Sequence, residues 1–476
     1  MNHYSGKNDQ SEKAGKNNEK LLGGKFFFHN FLYIREYTIR QRSLALTFEK
    51  GDIILVLVQP KIYPFEEHQI PVEKIDSDAR FVIHRLKEAG HTAYLVGGGV
   101  RDLLLNTRPK DFDVSTSATP EEVRALFRNS LLIGRRFRLV HVRFGKKVIE
   151  VSTFRSGDQE SESLIVRDNE WGSEVEDVLR RDFTINGLFY DPETQRIIDY
   201  VGGFGDVEKR ILRVIGTPSA RFVQDPVRMI RLLKFCARFG FEIDGPTYEA
   251  LLKCKDHIIM SSPARILEEL LRMLESGSSE SFFRLLHQYG LLKLLIAPLS
   301  HFIDLDPEGR IFKMLQELDS EIKKIWPEAF DRAVPLAALC FPVFELTIHH
   351  LAAKAEKPLH LGLIAREAYE LVENLFMPFF RIPRRLHGVM VFALASQFRF
   401  TPLDKRTLHR PRVPRDESFP LALHLFKLRC ALDHQLFPIY TLWTEASFAQ
   451  AEKGEPSAPP PPRRRRRPRR RAPSNE

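Results

Sequence analysis

The sequence predicts an α/β head of roughly 130–150 residues followed by an all-α region, and three observations carry that expectation. Between about Ile70 and Gly216, short apolar runs alternate with segments of helical period. After Gly216 strand signals fade, and segments with helical start and stop residues continue to about Trp443. The two ends differ from both: the first twenty residues are polar, and after Ala451 the chain is rich in Pro and Arg.

In order, "FFFHNFLYI" and "DIILVLVQ" have strand composition, but charged residues interrupt them and they fit no clear place. "DSDARFVIHRLKEAG" is a helix with Asp76 or Ser77 as cap, Phe81, Val82, Ile83 and Leu86 on the apolar side, and Gly90 as its stop. "AYLV" is a short buried strand, "GGVRDLLLN" opens a helix and "DFDVS" is a strand. "TPEEVRALF" is a helix with Thr119 as N-cap, Pro120 at the first position and Glu122 at the third. "RLVHVRFG" and "KKVIEVSTFR" form two strands joined by a turn at Gly145-Lys146. Beyond Gly216, "DPVRMIRLLKFCARFG", "SPARILEELLRMLES" and "ESFFRLLHQYGLLKLL" are helices. No fixed-period repeat is present.

Composition narrows the function classes. At 476 residues, 43% hydrophobic and 28% charged, most of the chain is globular and longer than one ordinary domain. Cys236, Cys254, Cys340 and Cys430 are widely spaced, which argues against a disulfide framework and for reduced thiols in a cytoplasmic protein. The 16 histidines show no zinc spacing. No apolar run reads as a membrane span, and the polar start lacks the apolar stretch of a signal peptide. The net charge is +10, and the tail "PPPPRRRRRPRRRAPSNE" holds eight arginines against one glutamate, or +7 of it. A polyanionic partner is expected, either nucleic acid or an anionic membrane surface.

Chemistry concentrates in "AYLVGGGVRDLLLNTRPKDFDVS". Asp111 and Asp113 stand two apart on the expected strand, so both carboxylates share a face while Phe112 turns to the core. Paired carboxylates suit Mg²⁺, which also takes substrate phosphates and water. A typical two-metal site needs a third carboxylate, and Glu150 and Asp182 are both candidates. The glycines lie at a strand-to-helix junction, where backbone N–H groups can approach a phosphate and Arg101 adds a cationic fork. "RRDFTINGLFYD" gathers Arg180, Arg181, Asp182 and Asn186. "QDPVRMIRLLKF" puts Asp225, Arg228 and Arg231 on one helix face, where an acceptor and a guanidinium can pair with a base edge. Taken singly, each has a bland reading: a tight turn, an exposed strand edge, a capped turn, a surface ion pair. Their ordered conjunction does not.

With these residues in view the chain resembles the class II nucleotidyltransferases, the bacterial poly(A) polymerases and CCA-adding enzymes. The likeness rests on "LVGGGVRDLLL", "KDFDVSTSATPEEV", "RRDFTINGLFYD" and "DPVRMIRLLKFCARFGFEID", and extends from about Ile70 to about residue 445. "LIGRRFRLVHVRFG" and the Arg-rich tail look like the poly(A) polymerase branch. The resemblance implies a nucleotidyltransferase head with a polymerase β-like mixed sheet, then a helical neck and body. The expected boundaries are an N-terminal extension (1–66, partly disordered), head (67–216), neck (217–280), RNA-binding body (281–450) and disordered tail (451–476).

It further implies that Asp111 and Asp113 hold two Mg²⁺ ions and that Asp182 is a further acidic residue of the active site. Gly97, Gly98 and Arg101 would contact the triphosphate, and Arg181 and Asn186 would lie near the sugar and phosphates. Asp225 and Arg228 would contact the base, supported by Arg231. The family often has Glu-Asp where this chain has Gln224-Asp225. The implied activity is template-independent addition of AMP from ATP to RNA 3′ ends, in mRNA processing and decay. The implied protein is a monomer, with RNA-decay proteins as candidate partners. The alternatives are a CCA-adding or A-adding tRNA enzyme and a non-catalytic RNA-binding protein.

Overall fold

A computed structural model describes residues 44–49, 52–57, 59–134, 138–156, 170–325, 328–403 and 411–454. "FFFHNFLYI", the Arg-rich tail and residues 135–137 of the "LIGRRFRLVHV" stretch lie outside them. The chain divides into two compact units between Ser262 and Pro263.

In the first unit, β1 (Leu44–Glu49) and β2 (Asp52–Leu57) pair antiparallel, with Leu44 opposite Leu57. Within "DIILVLVQ", Asp52–Leu57 is thus a strand. An eight-stranded mixed sheet follows. Its strands are β3 (Lys61–Tyr63), β4 (Ala93–Val96), β5 (Asp113–Thr116), β6 (Ser130–Ile133), β7 (Leu139–Phe144), β8 (Lys147–Thr153), β9 (Leu188–Asp191) and β10 (Arg196–Asp199), in the order β3-β10-β9-β4-β5-β8-β7-β6. Only β5 and β8 run parallel. The turn expected at Gly145-Lys146 joins β7 to β8, with Gly145 at φ +61°. Val96, Phe154, Val178 and Phe189 form a buried cluster against which Tyr94, Ile198, Tyr200 and Val201 pack.

Local chemistry sets the helices. After the short α1 (Phe65–His68), α2 (Ser77–Glu88) starts where the Asp76 carboxylate accepts the N–H groups of Asp78 and Ala79. It buries Ala79, Val82, Ile83 and Leu86, while Phe81 turns outward, 49% exposed, edge-on to Phe144. One residue of the expected apolar side is therefore off the core. The cradle helix α3 (Gly98–Leu104) follows β4 directly. A capping box between Thr119 and Glu122 opens α4 (Pro120–Leu126), as expected. Next come α5 (Glu174–Leu179), α6 (Gly203–Glu208), α7 (Pro218–Gln224), α8 (Val227–Phe239) and α9 (Gly245–Cys254). A two-residue parallel pairing of β11 (Ile211–Leu212) with β12 (Glu242–Ile243) brackets α7 and α8 in sequence.

Among its described residues the regular elements of the second unit are all helices: α10 (Pro263–Leu274), α11 (Ser279–Gln288), α12 (Leu291–Leu295), α13 (Ala297–Leu305), α14 (Arg310–Ile325), α15 (Ala333–Lys354), α16 (Leu361–Phe376), α17 (Arg384–Phe400), α18 (Phe419–Leu432) and α19 (Phe437–Gly454). "ESFFRLLHQYGLLKLL" is two helices rather than one, because Gly290 adopts φ +77° between them. The start of α11 is held by Asp319, which accepts Ser279 N–H, Ser279 Oγ–H and Glu280 N–H at 2.7–2.9 Å.

The expectation that no segment could span a membrane needs correction. Helix α15 has 22 residues and a mean hydropathy of 1.5 over its most apolar stretch, enough by length and composition. It packs against α14, α17 and α18 and buries Leu336, Leu339, Phe341, Phe344 and Ile348. Its apolar character is accounted for by this packing.

Candidate active site

The sheet brings the carboxylates together. Asp113 is the first residue of β5, opposite Val96 on one neighbour and Glu150 on the other. Asp111 is not on the strand: it lies exposed on the approach to it, and Phe112 is half-buried near Gly99 instead of facing the core. The two aspartates still lie close enough to act on each other. Burial, then Glu150 and then Asp111, push the Asp113 carboxyl up to about 6, against the pull of Arg181. Glu150 in turn sits across from His141 on β7, with His141 Nε2 3.5 Å from its Oε2.

Gly97 is the turn that leads into α3, and Gly98 and Gly99 are the first residues of that helix. Gly97 has φ +66° and ψ −131°, a conformation natural only to glycine, and a Cβ there would lie 3.5 Å from Arg181 Nη1. A Cβ on Gly98 would come within 3.3 Å of Arg101 Nη2.

Arg101 itself is turned inward, only 4% exposed. Its Nε and Nη2 donate to Asp102 Oδ1 at 2.9 and 2.6 Å, and its Nη1 to Asn186 Oδ1 at 2.6 Å. The guanidinium also stacks over Phe235 and Phe239 of α8, 5.0 and 4.6 Å from their centroids. Asn186, also buried, passes the linkage on by donating to Asp182 Oδ1 at 3.1 Å.

Asp182 is fully engaged within this network. Its Oδ1 also accepts the Phe183 N–H at 2.9 Å, and its Oδ2 lies 2.8 Å from Arg231 Nη2. Burial raises its carboxyl, but Arg231, Asn186, the Phe183 N–H and Arg228 outweigh that and hold it below the usual carboxylate range. Of the two candidate third carboxylates, the one aligned with Asp113 in the sheet is Glu150, whereas Asp182 anchors Arg231 of α8.

Arg181 is the cation facing the carboxylates. Its Nη2 donates to Ser115 Oγ at 3.2 Å, two residues beyond Asp113 on the same strand face, and to Asp177 Oδ2 at 2.8 Å. Asp177 also binds Arg180 Nε at 3.1 Å. Burial raises the Asp177 carboxyl, yet Arg181 and Arg180 together bring it below the ordinary value. The sequence reading passed over Asp177, although its i, i+3, i+4 spacing to Arg180 and Arg181 is legible.

On the base side, Asp225, at φ −146° and ψ 87°, is the C-cap of α7, and Pro226 leads into α8. Arg228 is buried: its Nη1 donates to Arg221 O at 3.0 Å and its Nη2 to Arg180 O at 3.4 Å. Arg231, by contrast, is partly exposed.

Among the described residues, no three His, Cys, Asp or Glu side chains form a ready-made metal cage. A carboxyl lifted to about 6 by burial first, and then by Glu150 and Asp111, is instead suited to a cation that shares its shell with phosphate and water.

Residues 93–213 match the family described as the poly A polymerase head domain, and residues 240–301 match a probable RNA- and SrmB-binding site of polymerase A. The chain is 39% identical to poly(A) polymerase I of Salmonella typhi over 328 residues, covering 66% of this chain and 69% of the relative. It is 33% identical to poly(A) polymerase I of Haemophilus influenzae over 398 residues, covering 79% and 85%. The fold resembles that of the Bacillus stearothermophilus CCA-adding enzyme in complex with CTP, with a TM-score of 0.54, 23% identity, and coverage of 80% and 88%.

Proposed function

The chain belongs to the poly(A) polymerase I family and is a polynucleotide adenylyltransferase of RNA 3′ ends; from that premise we propose that it adds AMP without a template, by in-line attack on the α-phosphorus of ATP held beside Asp111 and Asp113. The RNA 3′-hydroxyl oxygen forms a bond to the α-phosphorus of ATP. The bond from that phosphorus to the bridging oxygen of the β-phosphate breaks, pyrophosphate leaves, and the hydroxyl proton passes to solvent. The observation that carries the reading is the alignment of Asp113 with Glu150, faced by Arg181.

Asp111 and Asp113 would hold two Mg²⁺ ions with Glu150 alongside; bound there, the metals would supply positive charge for the developing alkoxide and the leaving pyrophosphate. The protein's own groups do the positioning. The Gly97-Gly98 turn leaves room for phosphate oxygens, Arg181 offsets their charge, and Asp225 and Arg228 meet the adenine edge. Arg101 and Asn186 act from behind the site by joining α3 to α8, and Asp182 holds Arg231 in place. The helical second unit and the arginine-rich tail would grip RNA phosphates with little sequence readout. A place in mRNA processing and decay, a cytoplasmic location, a monomeric state, RNA-decay proteins as partners and contact of the tail with anionic membrane surfaces belong to the same reading.

Incubating the protein with Mg²⁺, a generic 3′-hydroxyl RNA and each nucleoside triphosphate separately tests it. ATP should give long, heterogeneous extensions and CTP almost none. Robust CTP incorporation that stops after a fixed short addition would replace this reading with the tRNA-completing one.

A further inference from the structure

The phosphate-facing and base-facing residues come from segments more than forty residues apart, Arg181 at one end and Asp225 with Arg228 at the other. Transfer demands that these segments hold one spacing, because a misplacement of about 1 Å can cost on the order of a hundredfold in rate. One side chain joins them. Arg221, on α7, is 3% exposed. Its Nη2 donates to the backbone oxygens of Arg180 at 2.6 Å and Arg181 at 2.7 Å, with Leu179 O at 3.5 Å. These carbonyls belong to the end of α5 and the turn after it, where helix carbonyls lack intrahelical partners. Its Nη1 donates to Gln224 Oε1 at 3.2 Å. Its own backbone oxygen accepts the N–H of Asp225 at 3.2 Å and Arg228 Nη1 at 3.0 Å.

The result is a closed circuit: the Arg180-Arg181 turn, the Arg221 side chain, the Arg221 backbone, then Asp225 and Arg228. A buried guanidinium is an expensive way to cap a helix. Burial, followed by repulsion from Arg228, lowers Arg221 to about 9. What such a group adds over a neutral cap is a planar fork of fixed geometry that reaches two segments at once.

We propose that Arg221 is a positioning residue that sets the distance between the triphosphate-facing Arg181 and the base-facing Asp225 and Arg228, with Gln224 holding its fork in orientation. It touches no substrate. Through it, recognition of the base and seating of the triphosphate become one event, so its loss should blur nucleotide choice as well as weaken ATP binding. This rests on the adenylyltransferase reading above.

The test measures kcat and KM for ATP and for GTP on one RNA primer, for the unmodified protein and for Arg221→Met, Arg221→Lys and Gln224→Leu, with melting temperatures in parallel. Arg221→Met should raise the ATP KM about tenfold and cut the ATP-over-GTP preference by a similar factor, with the RNA KM unchanged. Arg221→Lys should restore part of that preference. Gln224→Leu, which leaves the carbonyl contacts intact, should shift both quantities in the same direction by roughly threefold. If Arg221→Met does not fold, the other two variants decide. A lower melting temperature with ATP KM and preference within twofold of the unmodified protein would make Arg221 a purely structural cap and overturn the proposal. If the unmodified protein itself showed no preference for ATP, the adenylyltransferase reading would fail instead.

Discussion

Asp113 keeps its proton to about pH 6 in the folded protein, against an ordinary value of 3.8. Unfolded, the same group ionises near 4, so between the two values the folded state binds more protons. Its contribution to stability is then complete below about pH 4 and is lost as pH rises through about 6. Above that, the metal-free protein carries a deficit on the order of 3 kcal/mol at most. Asp113→Asn removes that deficit and the cation site together. In chelator, thermal melts at pH 8 should show the variant melting several degrees above the unmodified protein, with the difference vanishing near pH 4. AMP incorporation should fall by about a thousandfold or more. A variant that still incorporates ATP normally would mean that Asp113 lies outside the reacting centre. Asp182, with its value held low by Arg231 and Asn186, belongs to the opposite class of carboxylate. In the structure it pairs with Arg231 of α8.

At the scale of elements, the decisive feature is how α3 is joined to its surroundings. It starts at a glycine conformation no other residue adopts easily, and its second turn is locked by Arg101 and Asp102 to Asn186 and to the aromatic pair on α8. The cradle therefore has little freedom to shift when a side chain intrudes. Gly97→Ala should cost about 1–3 kcal/mol from backbone strain alone. The added Cβ would make only ordinary contact with Arg181, at 3.5 Å, so the cost is conformational. The expected outcome is a lower melting temperature and an ATP KM raised about tenfold with RNA affinity retained; an unchanged KM would show that phosphate does not approach this turn. Helix, strand and cap positions around it were largely legible, since Asp76, Thr119, Pro120, Glu122 and Gly145 act locally. The break at Gly290 and the outward Phe81 were less so: periodicity runs through both positions, and only packing decides them.

For the molecule as a whole, charge is the property that sequence expresses without help from the fold. Eight arginines follow residue 462, and each phosphate they neutralise on single-stranded RNA should contribute about −0.7 to the slope of log K against log salt. Removing residues 455–476 should make that slope shallower by several units and weaken binding most at low salt, with kcat at saturating RNA preserved. Equal slopes for the two proteins, measured by filter binding across a salt series, would free the tail from any role in gripping RNA. The apolar helix α15 shows the converse. Composition alone makes it long and apolar enough to cross a membrane, and the packing of its neighbours gives it a different explanation.

The parts of the site and their order can be read along the chain: a glycine turn before a helix, two aspartates at a strand, an Arg-Arg-Asp turn, and a helix opened by Asp-Pro. Each is a short-range pattern, written in residues a few positions apart, so it survives being read along a line. Tertiary structure alone decided which carboxylate stands beside Asp113, because the pairing of β5 with β8 joins residues 37 positions apart. It likewise turned Arg101 inward onto Phe235, bound Asp182 to Arg231, and closed the circuit through Arg221. Those assignments depend on which buried charge finds a partner, and burial is a property of the folded whole.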